Sequence, residues 1–141
     1  MAHITPVKGL SATVGLYSHA VPVPADSRLL FVSGQLSVDA NGEPLAVGDF
    51  EGQLRVVFGN LVAVVRHAGG SPESIIKMTT YLVDADHVSD FYEARARLFT
   101  ELFPSATYPG NTLLVVNRLV KPEFLLEIEA VAAIPLEDVH G

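Results

Sequence analysis

The chain has 141 residues, with nine Lys plus Arg against sixteen Asp plus Glu and a net charge of −7. One domain of this length buries roughly two thirds of the surface its unfolded chain exposes, and its negative field repels phosphate backbones and acidic membranes, which argues against nucleic acid or lipid as a partner. With 49% hydrophobic and 18% charged residues the sequence is neither disordered nor collagen-like, and it carries more apolar surface than one core needs, as an oligomer does.

Taken in chain order, the first ten residues carry Pro6 and Lys8 where a secretion signal needs an unbroken apolar run, so the expected location is the cytoplasm. Leu29 to Ser33 reads as a strand, followed by a turn at Asp39-Ala40-Asn41-Gly42. From Phe50 to Ala68 the apolar positions Leu54, Val57, Phe58, Leu61, Val65 and Ala68 recur at three- and four-residue steps, which predicts a helix with Asp49 as N-cap and Gly69-Gly70 as its stop. Ile75 to Val83 predicts a second strand. A second helix runs from Asp86 or Ser89 to Phe103, ended by Pro104, with Arg95 and Arg97 read as lying off its apolar stripe. Thr112 to Val116 and Phe124 to Ala133 predict two more strands, and Pro135 to Gly141, polar and acidic, is expected to fray. No linker or repeat divides residues 1–141, which form a single domain. Leu113 to Val116 is apolar on both strand faces, so the sheet is expected to be covered on both sides, by the two helices on one and by another subunit on the other.

There is no cysteine, which removes disulfides, thiolate catalysis and Cys-ligated metals. His3, His19, His67, His87 and His140 form no His-x-His or His-x-x-x-His pair, so no metal is expected. Phosphate-binding glycine loops and a Gly-x-Ser-x-Gly elbow are missing too. Two stretches carry chemistry. In Leu125-Leu126-Glu127-Ile128-Glu129-Ala130 both carboxylates share one strand face about 6.6 Å apart. They read as a solvent-facing strand edge, as an ion pair with Arg118 or Lys121, or as an acid pair in which desolvation at a subunit boundary raises one pKa so that it relays protons. In Phe31-Val32-Ser33-Gly34-Gln35, a glycine at a strand end reads either as a plain turn or bulge, or as a place where a ligand approaches the backbone.

Together these residues resemble the RidA (YjgF) family. The likeness runs from Gly15-Leu16-Tyr17-Ser18-His19-Ala20 through Phe31 to Gln35, Gly48-Asp49-Phe50-Glu51-Gly52-Gln53, Asn60-Leu61, Ala68 to Ser71 and Lys77 to Leu82, and ends with Glu127-Ile128-Glu129-Ala130, covering about residues 15–133. The resemblance implies an α+β, chorismate-mutase-like fold, with a mixed β-sheet and two α-helices on one face, assembled as a homotrimer with a small-molecule ligand between subunits. It implies hydrolysis of enamines and imines to a 2-oxo acid and ammonia without a cofactor, with Glu127 as the catalytic carboxylate and Tyr17, Ser33 and Gly34 as substrate-binding residues. RNA cleavage, attached by name to part of the family, does not suit a charge of −7.

One position departs. The family's Pro-Ala-Arg-Ser/Thr reads here Pro109-Gly110-Asn111-Thr112, placing Asn111 where the family holds a substrate carboxylate with arginine. A charge-assisted hydrogen bond is worth about 1.5–3 kcal/mol, so the substitution implies at least a ~10- to 100-fold loss on simple 2-imino acids. Arg95 or Arg118 could replace the lost cation, although both read as solvated or ion-paired. A specificity shifted by Asn111 follows, with a non-catalytic ligand-binding trimer as the alternative.

Overall fold

The last strand in sequence lies in the middle of the sheet. A computed structural model describes residues 3–136, in which β1 (Ser27–Gln35), β2 (Ile75–Leu82), β3 (Gly110–Val115) and β4 (Leu126–Pro135) form one sheet ordered β1-β4-β2-β3. β4 is antiparallel to both neighbours, whereas β2 and β3 are parallel and joined through helix α2 (His87–Leu102). Helix α1 (Phe50–His67) connects β1 to β2, with a short 3-10 turn at Pro72–Ser74 before β2. This is the mixed sheet with two helices expected from the sequence.

α1 begins where expected because the Asp49 side chain accepts a hydrogen bond from Gly52 N at 3.0 Å. Past its C-cap, Ala68, the chain turns at Gly69 with φ +94°, the left-handed region that glycine adopts without cost. Leu54, Val57, Phe58, Leu61 and Val65 lie against Val32, Met78, Leu82, Leu126, Ile128 and Ala130 of the sheet, all buried. β4 alternates strictly at its start, with Leu126, Ile128 and Ala130 buried and Glu127 and Glu129 half-buried on the opposite face.

Three expectations change. Arg95 is inside, 1% exposed, because it stands four residues after Phe91 and four before Phe99, in line with the buried stripe of α2 rather than off it. The run Leu113 to Val116 belongs to an edge: Leu113 packs on the core, while Leu114 and Val115 are 44% and 49% exposed. The apolar surface on the helix-free face is instead spread across the sheet, with Phe31 74% exposed on β1. Pro135 still pairs with Ser27 in the β4–β1 ladder, and residues 137–141 of the expected frayed tail lie outside the described residues.

Candidate active site

Between Val32 and Gln35 the β1–β4 register slips, so that Ser33-Gly34 forms the bulge that the sequence left open. Its conformation serves one purpose that the geometry makes plain: a Cβ at position 34 would stand 2.1 Å from Glu127 Oε1. Only a residue without a side chain lets the carboxylate lie against the β1 backbone. Asn60 on α1 donates to Leu36 O at 3.0 Å and so holds the chain leaving Gly34.

Glu127 and Gly34 line a cleft of about 330 Å³ on the helix-free face, together with Tyr81, Arg118 and Glu129. Tyr81 lies opposite Glu127 in the β2–β4 ladder, and its hydroxyl donates to the Glu129 carboxylate. Burial, and next the negative charge of Glu129, push the Glu127 carboxyl above its ordinary range. β4 is central, not an edge, and among the described residues no ion pair joins Glu127 or Glu129 to Arg118 or Lys121. Arg118 turns instead onto its own loop, Nε donating to Leu119 O at 3.0 Å and Nη2 to Val120 O at 3.3 Å. The loop before β4 is set by buried Gln53 of α1, which donates to Glu123 O and accepts from Leu125 N, both at 2.9 Å.

Tyr17 and Asn111 lie elsewhere. With Ser18, His19 and Lys77 they line a second cleft of about 290 Å³ at the other end of the sheet, where β2 and β3 begin. Ser18 anchors this end: its N donates to Pro109 O at 3.1 Å and its hydroxyl to Tyr108 O at 2.5 Å. Asn111 Oδ1 accepts from the hydroxyl of Thr80, which is fully buried on the helix side of the sheet. Asn111 and Glu127 therefore face opposite sides of the sheet within one chain. Ser33 is exposed on β1 and lines neither cleft, although its carbonyl accepts from Gln35 Nε2 at 3.1 Å.

The structure thus brings Gly34 to Glu127 and Tyr17 to Asn111, but not the two pairs to each other. Tyr81 was missed as a site residue because a cross-strand neighbour is set by register, which no local pattern prints. Among the described residues no three His, Asp or Glu side chains converge as a metal site.

The fold has counterparts among known proteins. The family model described as Endoribonuclease L-PSP matches residues 9–134. An Escherichia coli protein named "Putative reactive intermediate deaminase TdcF" is 34% identical over 133 residues, covering 94% of this chain and 97% of TdcF. A RutC family protein of Pyrococcus horikoshii is 34% identical over 119 residues, 84% of this chain and 87% of that protein. Among solved structures, a Rid family protein of Yersinia pestis aligns with a TM-score of 0.81 at 30% identity, covering 93% of this chain and 97% of its own. E. coli TdcF with bound serine aligns at 0.67 and 34% identity, covering 94% and 98%. The chain belongs to the RidA/YjgF family, and its α+β fold is the one those structures share. No helix among the described residues is long and apolar enough to cross a membrane.

Proposed function

We propose that the protein is an imine and enamine deaminase whose proton carrier is Glu127, working at clefts completed by neighbouring copies in a homotrimer. The observation that carries this reading is the half-buried Glu127 carboxyl, raised in pKa and laid against Gly34 in an open cleft beside Tyr81 and Glu129. A carboxyl whose proton affinity is raised by burial and by the Glu129 charge is better suited to pass a proton in both halves of the reaction than an ordinary surface carboxylate. In its acid form it gives a proton to the imine nitrogen, which makes the carbon more electrophilic. As a carboxylate it takes a proton from the water that adds to that carbon. The re-formed acid then protonates the amino nitrogen of the resulting carbinolamine, the C–N bond breaks to release ammonia, and the hydroxyl proton returns to the carboxylate as the carbonyl forms.

Two features favour assembly. Tyr17 and Asn111 lie at one end of the sheet and Gly34 and Glu127 at the other, so a single chain holds two half-sites that a neighbouring copy can join. The helix-free face that carries Glu127 also exposes Phe31 and Leu29, apolar area that a neighbour would bury. Asn111 sets a specificity different from that of relatives with arginine there, and TdcF, named as a reactive intermediate deaminase and solved with serine, supports a small ligand of amino-acid size.

The test is ammonia release from imines of varied charge generated in situ by an amino-acid oxidase. Acceleration that disappears in Glu127→Gln supports the reading. If no imine is hydrolysed faster in a Glu127-dependent way while ligands still bind, the protein is a binding trimer instead.

A further inference from the structure

The buried group that the proposed reaction leaves unexplained is Arg95. It is 1% exposed, and Nε, Nη1 and Nη2 all lack a hydrogen-bond partner. Its guanidinium lies over three rings, 4.8 Å from the centroid of Phe91, 5.1 Å from Tyr92 and 5.9 Å from Phe99. Aromatic faces attract a cation but accept none of its five N–H bonds in the way an oxyanion does. Burial lowers the guanidinium to about 10, so at neutral pH it is a full positive charge in the interior. No carboxylate balances it: among the described residues the ion pairs of Arg55, Arg97 and His87 take up Glu51, Glu101 and Asp90. Removing a charge from water without a partner is strongly unfavourable, so such a group calls for a ligand.

What covers Arg95 is a strap held to the core by the packing of Leu16 but by no hydrogen bond to a helix or strand. At Gly15, φ +97°, a Cβ would stand 2.3 Å from Arg95 Nη2, so the glycine backbone lies directly on the guanidinium. The strap's hydrogen bonds are local: Leu10 N to Val7 O at 3.1 Å, Tyr17 N to Gly15 O at 3.3 Å and Val14 N to Tyr17 Oη at 3.4 Å. None links residues 8–16 to a helix or strand, and a second left-handed glycine, Gly9 with φ +87°, stands at its far end. Tyr17 belongs to both places, lining the cleft with Asn111 and acting electrostatically on Arg95. Asn111 itself turns to the helix side of the sheet, the side on which the apolar stripe of α2 joins the core.

We propose that Arg95 is the anion receptor of the Tyr17–Asn111 half-site, taking the carboxylate of the substrate from the α2 side when the Gly9–Gly15 strap moves off it. This rests on the deaminase reading for the identity of the substrate, but the receptor itself is testable without turnover. It reverses one expectation from the sequence: carboxylate-bearing imines are the favoured class in spite of Asn111. A planar, bidentate partner is what a guanidinium fork selects, and lysine is no equivalent there.

Thermal unfolding of the full chain is followed with pyruvate, the keto acid matching 2-iminopropanoate, and with acetone as the neutral control. Pyruvate is expected to raise Tm with concentration and acetone to leave it unchanged. Arg95→Met is expected to raise Tm without ligand, because it removes an unpaired buried charge, and to lose the response to pyruvate. Arg95→Lys covers the case in which Met does not fold, and its apparent Kd for pyruvate is expected to weaken by about tenfold or more. Wild-type affinity for pyruvate in either variant, or a wild-type protein that does not respond to pyruvate at all, overturns the proposal. A pyruvate response that depends on Arg95 in a protein that hydrolyses no imine keeps the receptor and discards the deaminase. Turnover of 2-imino acids with undiminished kcat/KM in the Arg95 variants does the reverse.

Discussion

Thr80 donates its hydroxyl hydrogen to Asn111 Oδ1 at 2.9 Å from a position of zero exposure, which fixes the amide of a residue that would otherwise stand free at the sheet edge. Replacing Asn111 by Arg breaks this bond and leaves a buried hydroxyl without its acceptor, at a cost of about 1–3 kcal/mol. It also brings a second cation to the layer that already holds Arg95. Asn111→Arg is therefore expected to lower Tm and to improve kcat/KM on the imine of pyruvate by less than about tenfold, the lower end of what one charge-assisted bond supplies. A larger gain in that assay would return the carboxylate clamp to β3 and leave Arg95 without a role.

Glu127→Gln is expected to reduce kcat by about 10²- to 10⁴-fold, the range for losing a positioned general acid and base. The fold should tolerate it, because the change removes a charge held near Glu129. The pH dependence has a definite sign. A carboxyl raised above its unfolded pKa binds more protons folded than unfolded, so it favours the folded state below the unfolded value. That contribution declines as pH rises from about 4.5 through the raised folded pKa. Tm measured across this window should fall less steeply in Glu127→Gln than in the wild type, and an identical slope would show that Glu127 is not raised.

At Gly34, whose φ is not in the left-handed region, alanine fits the backbone but its methyl collides with Glu127 Oε1. Gly34→Ala is expected to push the carboxylate aside, cutting kcat by about tenfold or more while costing under ~1 kcal/mol in stability, because the atoms displaced belong to one flexible side chain. In a background of Glu127→Gln the same substitution should have little further effect on kcat, since both act through one group. Full additivity in the double variant would place the effect of Gly34 elsewhere.

Phe31, 74% exposed, tests the assembly. Placing a charge in a face buried between subunits leaves it desolvated without a partner, so Phe31→Glu is expected to convert a species near three times 15.1 kDa into one near 15.1 kDa by sedimentation. Activity should fall with it, because in the proposed trimer each cleft then loses its second half. A wild-type protein that sediments as a monomer would remove the assembly from the mechanism.

The secondary structure was legible where chemistry is local. Asp49, the spacing from Leu54 to Val65 and Gly69 mark both ends of α1, and the alternation from Leu126 to Ala130 puts Glu127 on the right face of the right strand. Legibility ended where the answer depended on which strands pair. Leu113 to Val116 has the composition of a doubly covered strand but lies at an edge, and Asn111 turns away from Glu127 because parallel pairing with β2 offers it Thr80. Arg95 is the instructive case: the positions Phe91, Arg95 and Phe99 are spaced four apart, and periodicity alone would have set Arg95 inside. Its charge argued for solvent, and the spacing was the better guide.

The sheet order has a consequence for how the protein is made. β4 hydrogen-bonds both β1 and β2, so until the ribosome has delivered Leu126 to Pro135 the earlier strands have only the β2–β3 pairing available and two long ladders stay open. A nascent or prematurely ended chain exposes those strand edges to other chains, and it lacks Glu127 as well. Completion of the sheet and arrival of Glu127 are one event, so no partly synthesised chain holds the proton carrier of the proposed reaction.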